Sequence, residues 1–439
     1  MLTGNRFRLY PTRRQQKTLL RWIGCQRFIY NAKVSEDRCF RGFARKFGGA
    51  APVDQAYSHF IGPQTPWLRE VPSQILRNGA TRWRQAYQRF FRKLGGRPTI
   101  QKPHGQQSVW LTSELFQFVD GRLSIGNGKR LVGLIPYTAH RTHELPNSIH
   151  ISVHAGRWYV SFSAENGEPE YDEADIAKWL GGLSREELDV RAVGIDRGVA
   201  IPMAASNGQN LDFRPVEKKR LRRKERSILR WQRKLARRQK DSERRKKARE
   251  RVAALRRYAA DLRRDFAHQT SRKLVDDPQM LLLVFEDLEV RNMTRSAKGS
   301  PDQPGRNVRQ KAGLNRSILE AAWGLTRQFS TYKALKLHKL SIVVSPYRSS
   351  QECRQCGSAH PDNRILQSEF VCQACGHREN ADSNASHVIK RRGVDLILAG
   401  KWKPKERKRV QTTASRVRGV RPEGPEPEAV NVSNDRGER

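Results

Sequence analysis

The chain has 439 residues, with 85 Lys and Arg against 44 Asp and Glu, a net charge of +41 and a pI near 10.8. So large an excess of one sign repels itself unless a polyanion neutralises it, which makes nucleic acid the expected partner. A membrane is excluded from that role: the longest purely apolar run, Met280 to Phe285, is far too short to span a bilayer, and no amphipathic or lipidated segment accompanies the basic runs.

The length predicts two to four domains. With no signal peptide, and four of six cysteines in a metal-binding pattern, the expectation is a soluble intracellular protein. Residues 1–10 alternate around Phe7 and Leu9 and read as a strand ended by Pro11. Thr12 with Gln15 forms a capping box, after which Leu19, Ile23, Tyr30 and Val34 recur at helical spacing. A second helix is expected from about Pro72 to Leu94, with Ile75, Gly79, Trp83, Ala86, Phe90 and Leu94 facing inward. Its arginines, interleaved with Tyr87 and Phe91, suggest a nucleic-acid surface on which Arg84 and Tyr87 are candidate contacts.

From Val109 to Glu165 the period changes to two. Trp110 to Phe118, Gly121 to Ile125, Leu131 to Pro136, Ile149 to Val153 and Trp158 to Ala164 read as short strands, with a tight turn at Ala155-Gly156. A small antiparallel barrel or sandwich results, which takes in the first strand and encloses the helices as an insertion. Residues 165–189 then reverse the charge, nine acids against Lys178 and Arg185, and are expected to form a solvated linker.

Val193-Gly194-Ile195-Asp196 ends an apolar run on a carboxylate, and Asn207-Gly208 supplies a hairpin signal in the meander that follows. Residues 214–273 hold 26 Lys and Arg against 7 acids. Leu221, Ile228, Trp231 and Leu235, then Leu255, Ala259, Leu262 and Phe266, form two stripes that predict an antiparallel helical hairpin. A merely solvated surface would alternate its charges, but here one sign dominates. Phosphate contact is therefore the reading, with Arg222, Arg223, Arg230 and Arg237 as candidates.

Met280 to Glu286 has the pattern of a strand buried on both faces and also ends in acids. Leu314, Ile318, Ala322, Leu325, Phe329 and Tyr332 mark one long helix, and Leu340 to Val344 a further strand. From Lys401 onward the chain is basic, then rich in Pro and Glu, and is expected to be disordered.

Between these last segments Cys353, Cys356, Cys372 and Cys375 stand in the spacing C-x2-C-x15-C-x2-C of a four-thiolate zinc ribbon. Gly357 and Gly376, directly after each pair, free the backbone for the knuckle turns. Four protein ligands close the tetrahedron and leave no position for a reacting water, so this Zn2+ is structural and any chemistry lies elsewhere. Three carboxylates offer it: Asp196 and Glu286 at strand ends, and Asp382 opening a helix in Asp382-Ser383-Asn384-Ala385. Hard oxygen ligands bind Mg2+ (or Mn2+), which in a polyanion-binding protein points to a metal-dependent nuclease.

At these residues the chain resembles the TnpB family, transposon-encoded RNA-guided endonucleases of the OrfB type related to type V CRISPR effectors. The likeness runs through Arg8-Leu9-Tyr10-Pro11-Thr12, Gly24-Cys25 with Arg27-Phe28-Ile29-Tyr30-Asn31, and Trp67 to Gln74. It continues in Gly194-Ile195-Asp196, Phe285-Glu286-Asp287-Leu288, Ser349-Ser350 and Asp382 to Ala385. The resemblance implies a multidomain α+β fold: an RNase H-like RuvC nuclease domain split by the four-cysteine zinc ribbon, with an N-terminal β-barrel carrying a helical insertion. The expected domains are a wedge-like barrel (1–11 and 104–165), recognition helices (12–103), the acidic linker (166–190), the nuclease domain (191–349 and 377–400), the ribbon (350–376) and a disordered tail (401–439).

In that scheme Asp196, Glu286 and Asp382 bind the catalytic magnesium ions, and Arg348 contacts the scissile phosphate. The implied partners are a guide RNA, double-stranded target DNA and its displaced single strand, in a nucleoid-associated cytoplasmic setting. Pairing would specify sequence while the protein reads shape and a short adjacent motif. Two neighbouring readings stay open at this level. One is a guided regulator that binds without cutting, against which the intact acid triad stands; the other is a compact CRISPR-associated effector.

Overall fold

The computed structural model describes residues 2–404 apart from 50–51, 129–130, 168, 170 and 301. All of the expected disordered tail beyond residue 404 lies outside the described residues.

Pro11 ends strand β1 (Leu2–Leu9), and Thr12 caps the helix that follows, α1 (Arg13–Phe47). The capping box closes as its residue types predict: Thr12 Oγ1 accepts from Gln15 N at 3.3 Å and Gln15 Oε1 accepts from Thr12 N at 2.9 Å. Helix α2 (Ser73–Phe91) packs against α1 through Gly79, where a Cβ would lie 2.7 Å from the Gln26 carbonyl oxygen. Six strands follow: β2 (Gln107–Thr112), β3 (Phe116–Val119), β4 (Arg122–Ile125), β5 (Gly133–Thr138), β6 (Ser148–His154) and β7 (Arg157–Glu165).

With β1 they form one antiparallel sheet in the order β2-β6-β7-β1-β5-β4-β3. Phe118 on β3 meets Phe162 on β7 with ring centroids 5.6 Å apart. Four strand spacings, about 19 Å, would separate those strands in a flat sheet. The sheet is therefore curled with these rings inside, and Leu111, Ile125, Ile151 and Val160 share one core with Leu19 and Ile29 of α1 and Ile75 of α2. The stretch from Trp110 to Phe118 is not one strand: a single 3-10 turn at Ser113–Leu115 sends β2 and β3 to opposite edges. Ala155 and Gly156 do form the tight turn, both at positive φ (46° and 79°).

The second half begins with α3 (Glu173–Gly181) and α4 (Arg185–Val190). This corrects the expected solvated linker. Asp172 caps α3 and Ser184 with Glu187 boxes α4, so much of the acidity serves helix N-termini, while Ile176, Leu180 and Leu188 are buried in the second core. A five-stranded sheet follows, ordered β10-β9-β8-β11-β12: β8 (Ala192–Asp196), β9 (Met203–Ala205), β10 (Asn210–Leu211), β11 (Leu282–Glu286) and β12 (Leu340–Val344). Strands β8, β11 and β12 are parallel, and β9 and β10 complete an antiparallel meander.

Between β10 and β11 stands the basic hairpin of α5 (Pro215–Ala236) and α6 (Glu243–Asp276). After β11 come α7 (Val290–Met293), α8 (Val308–Glu320) and α9 (Trp323–Lys336). The single long helix expected here is thus two, broken where Ala322 takes a left-handed conformation (φ 58°) and Trp323 turns to donate to the Gly198 carbonyl at 3.1 Å. The ribbon hairpin β13 (Glu369–Val371) and β14 (Arg378–Asn380) leads into α10 (Ala381–Leu398), and Trp402 beyond it still packs on the second core.

Helix α10 lies directly on the sheet because two glycines let it. A Cβ on Gly194 of β8 would sit 2.0 Å from the Ser386 carbonyl oxygen and 2.5 Å from Lys390 N, and one on Gly393 would strike the Val284 side chain. Gly194→Ala is expected to lower the thermal midpoint, at a cost of about 3 kcal/mol or more from forced separation of helix and strand. An alanine variant as stable as the parent in differential scanning would refute this packing.

Candidate functional site

Register fixes the first two acids. Strands β8 and β11 pair in parallel with Ile195 opposite Phe285, so Asp196 and Glu286 leave adjacent strands at the same C-terminal level. The third comes from above: Asn380 Oδ1 accepts from Asp382 N at 3.0 Å and Ser383 N at 3.2 Å, starting α10 so that Asp382 lies in its first turn. Asp382 is one helical turn before Ser386, the residue whose backbone meets Gly194, and Gly194 is two residues before Asp196. The helix–strand contact and the acid cluster are therefore one piece of geometry.

Burial pushes the Asp196 carboxyl up to about 7, and the nearby Glu286 and Asp382 push it in the same direction. Glu286 is also raised, by burial, against the pull of a hydrogen bond from Ser349 and the charge of Arg197. Arg197, buried beside Asp196, donates to the Glu286 backbone carbonyl and ties the two strand ends together. A carboxyl at Asp196 whose charge is opposed by burial and by two neighbouring carboxylates is what a divalent cation relieves, so the donor set suits Mg2+ or Mn2+. The cluster is open: among the described residues only the four thiolates bring three or more ligand atoms within 4.8 Å of one another.

One Asp382 oxygen is taken by Arg364, at 3.2 Å from its guanidinium. Arg364 was not among the sequence candidates, since nothing in the spacing marks a lone arginine between the cysteine pairs. Arg348, the arginine expected from the sequence to meet the scissile phosphate, is exposed and lies over its neighbour Tyr347, with 5.3 Å between guanidinium carbon and ring centre. Ser349 and Arg197 were likewise not marked as site residues, because each acts through a fold-dependent bond to Glu286.

The ribbon forms as its spacing predicts. Two identical knuckles are closed by Gly357 N to Cys353 O and Gly376 N to Cys372 O, both at 3.0 Å, with each glycine at positive φ. Cys353 and Cys375 sulfurs lie 3.8 Å apart, and Cys356 and Cys372 3.5 Å. Zinc with bonds of about 2.3 Å holds tetrahedral sulfurs about 3.8 Å apart, so the four cysteines fit the ion. Buried Asn384 joins ribbon to helix, accepting from Arg354 N at 3.0 Å and donating to the Glu352 carbonyl at 2.7 Å.

Of the nucleic-acid candidates, Arg84, Arg222, Arg223, Arg230 and Arg237 are exposed. Tyr87 is a correction: it is buried, and its hydroxyl donates to Asp37 at 2.7 Å, so it holds α2 to α1. Helical period alone could not separate position 87 from the exposed Phe91 one turn on. Beside the hairpin runs a groove of about 810 Å3 with Leu221, Ile228 and Val252 on its floor and Arg249, Arg256 and Arg263 on its walls. These arginines extend the basic surface beyond those chosen from the sequence.

Comparisons with known proteins find likenesses along most of the chain. The family model described as "Probable transposase" (OrfB_IS605) matches residues 165–297, which hold Asp196 and Glu286, and the Cas12f1-like TNB domain matches 323–389, which hold the cysteines and Asp382. A model described as a helix-turn-helix domain matches 1–37, although here that span is β1 and part of one continuous helix. InsQ of Escherichia coli (strain K12), whose name describes an RNA-guided DNA endonuclease, is 29% identical over 91% of this chain and 94% of its own. A Streptomyces pristinaespiralis protein with a like name is 26% identical over 94% of each chain. A Cas12f1 structure, solved with guide RNA and target DNA, shares the fold at a TM-score of 0.53 and 11% identity, covering 89% of this chain and 98% of that one. No helix among the described residues is long and apolar enough to cross a membrane.

Two outcomes are expected. Cys372→Ser should lose the ribbon's zinc by elemental analysis and open residues 350–376 to protease. In EDTA, Asp196→Asn should raise the thermal midpoint by a few degrees at pH 8 and hardly at all at pH 3.5. The raised carboxyl keeps its proton in the folded state while the unfolded chain has lost its own, so stability declines as pH climbs from about 4 to 7, and Asn escapes that loss. Equal effects at both pH values would mean that the Asp196 carboxyl is not raised in the folded state.

Proposed function

The chain is a member of the TnpB family, and on that premise we propose that it is an RNA-guided, metal-dependent DNA endonuclease encoded by an insertion-sequence transposon, cutting beside a short adjacent motif. The observation that carries the reading is the meeting of Asp196, Glu286 and Asp382, drawn from segments up to 186 residues apart, at one end of the five-stranded sheet. In an overwhelmingly basic protein, acids gathered this way serve a cation and not a solvated surface.

The domain scheme follows the chain. The curled sheet and inserted helices (1–11, 104–165 and 12–103) hold guide RNA and the DNA motif. Residues 191–349 and 377–400 form an RNase H-like RuvC domain, to which α3 and α4 now belong, and residues 350–376 form the zinc ribbon. The α5–α6 hairpin and its arginine-walled groove take RNA phosphates.

At the cleavage site Asp196, Glu286 and Asp382 would hold Mg2+ or Mn2+. When bound, such ions activate a water and neutralise the leaving oxygen of the phosphodiester. Ser349 and Arg197 keep Glu286 aimed at the cluster from below. Arg364 places a guanidinium at the cluster's edge, where an incoming phosphate oxygen can take it from Asp382. The ribbon, pinned by Asn384, keeps Arg364 at that edge.

Cutting and binding should separate. Asp196→Ala removes one metal ligand and no nucleic-acid anchor, so cleavage of a guide-matched duplex should drop by at least about a thousandfold, on the order of 4 kcal/mol, with guided binding nearly intact. The assay pairs cleavage with gel-shift retention on a target beside a randomised flank. A wild type that binds but never cuts in Mg2+ or Mn2+, or an Asp196→Ala that cuts normally, refutes the assignment. RNA should also co-purify at low salt and leave steeply as salt rises, and charge reversal at Arg222, Arg223 and Arg230 should flatten that slope.

A further inference from the structure

The last turns of α1 carry an aromatic stripe that the described residues leave uncovered. No residue of α1 after Asp37 is buried. Phe40, Phe43 and Phe47 share one face at helical spacing and are 43%, 61% and 71% exposed, with the Phe43 and Phe47 rings 4.6 Å apart. Helix α2, fixed beside α1 where Tyr87 meets Asp37, adds Phe91 near the same end, 62% exposed. A patch of this kind marks a contact surface.

Charge selects the occupant. Residues 38–53 contain four Lys and Arg and no acid, and residues 71–113 contain eight and no acid. The acids just before the stripe are already engaged, Glu36 by Lys33 and His59, and Asp37 by Arg41 at 2.9 Å and by Tyr87. In a symmetric pair of chains this end would meet its own copy and set cation against cation. A polyanion with planar faces suits both features, since bases stack on aromatic rings while phosphates meet the arginines. A duplex hides its base faces, so the bases must be unpaired. From Phe40 to Phe47 the helix rises about 10 Å, the length of roughly three stacked bases.

We propose that the projecting end of α1 is a stacking platform for unpaired bases of the guide RNA, with Phe43 and Phe47 as its rings. This rests on the guide-RNA reading above. RNA is favoured over target DNA because it accompanies the protein before any target arrives and so covers the stripe throughout.

In the test, RNA that co-purifies with the full-length chain is extracted and rebound to wild type, to Phe43→Leu with Phe47→Leu, and to Phe43→Trp with Phe47→Trp. Leucine keeps apolar area but removes the ring face; tryptophan keeps it. The leucine pair should bind about tenfold more weakly or worse, with an unchanged thermal midpoint and an unchanged salt slope, because the slope counts phosphates and not stacked bases. The tryptophan pair should bind at least as tightly as wild type, and ultraviolet cross-linking should place a ribonucleotide within residues 40–47. Wild-type affinity in the leucine pair overturns the proposal. So does a cross-link to target DNA alone, or an RNA-free dimer in sedimentation that Phe43→Arg with Phe47→Arg dissolves. A wild type that retains no RNA overturns the guide-RNA reading itself, and this inference with it.

Discussion

Backbone contact between α10 and β8 is the constraint on which the site depends. Gly194 lets the helix approach until its Ser386 carbonyl occupies the space of a side chain, and Gly393 does the same against Val284. Any larger residue would lift the helix, and with it Asp382, away from Asp196 and Glu286. The ribbon depends on the same contact, because Asn384, in the first turns of that helix, supplies bonds to the chain on either side of Cys353. Zinc knuckles, helix start and acid cluster are thus assembled as one unit, and Arg364 reaches Asp382 only because the ribbon is held there.

Charge is distributed with corresponding economy. The lysines and arginines gather on α5, α6 and the end of α1, whereas the acids are placed where a negative charge has structural use. Those of 172–189 cap α3 and α4 or pair with α10, as Asp189 does with Lys390 at 2.7 Å. Glu352 holds both Arg391 and Arg392 at the base of the ribbon. Asp196 and Glu286, at the strand ends, differ from these in that their surroundings penalise the charge they carry, an environment typical of functional sites.

The misread segments share a cause. Residues 165–189 looked like a linker because acids outnumber apolar residues, yet Ile176 and Leu180 lie one helical turn apart and suffice to dock α3. The stretch from Leu314 to Tyr332 keeps one helical phase through Ala321-Ala322, and no residue type there announces the left-handed step that divides it. Tyr87 sits among arginines in sequence but beneath them in space, bonded to Asp37 of another helix. Each is decided by a partner distant along the chain.

The sequence by itself determined whatever depends on local spacing and composition. That covers the zinc knuckles, whose two-residue gaps and following glycines dictate their turns, the Thr12 capping box, the parallel-strand pattern of 282–286, the basic hairpin, and the polyanionic partner demanded by +41 charges. It also marked the three acids, since a carboxylate ending a buried strand or opening a helix is visible as a pattern. Tertiary structure alone decided that those acids come to one end of the sheet, that Ser349 and Arg197 bond to Glu286 and Arg364 to Asp382, and that the phenylalanines ending α1 are left exposed by the chain's described residues. The reason is range: periodicity and propensity act over a turn or two, whereas register between β8 and β11 and the close approach of α10 are set by packing between segments that only the folded chain brings together.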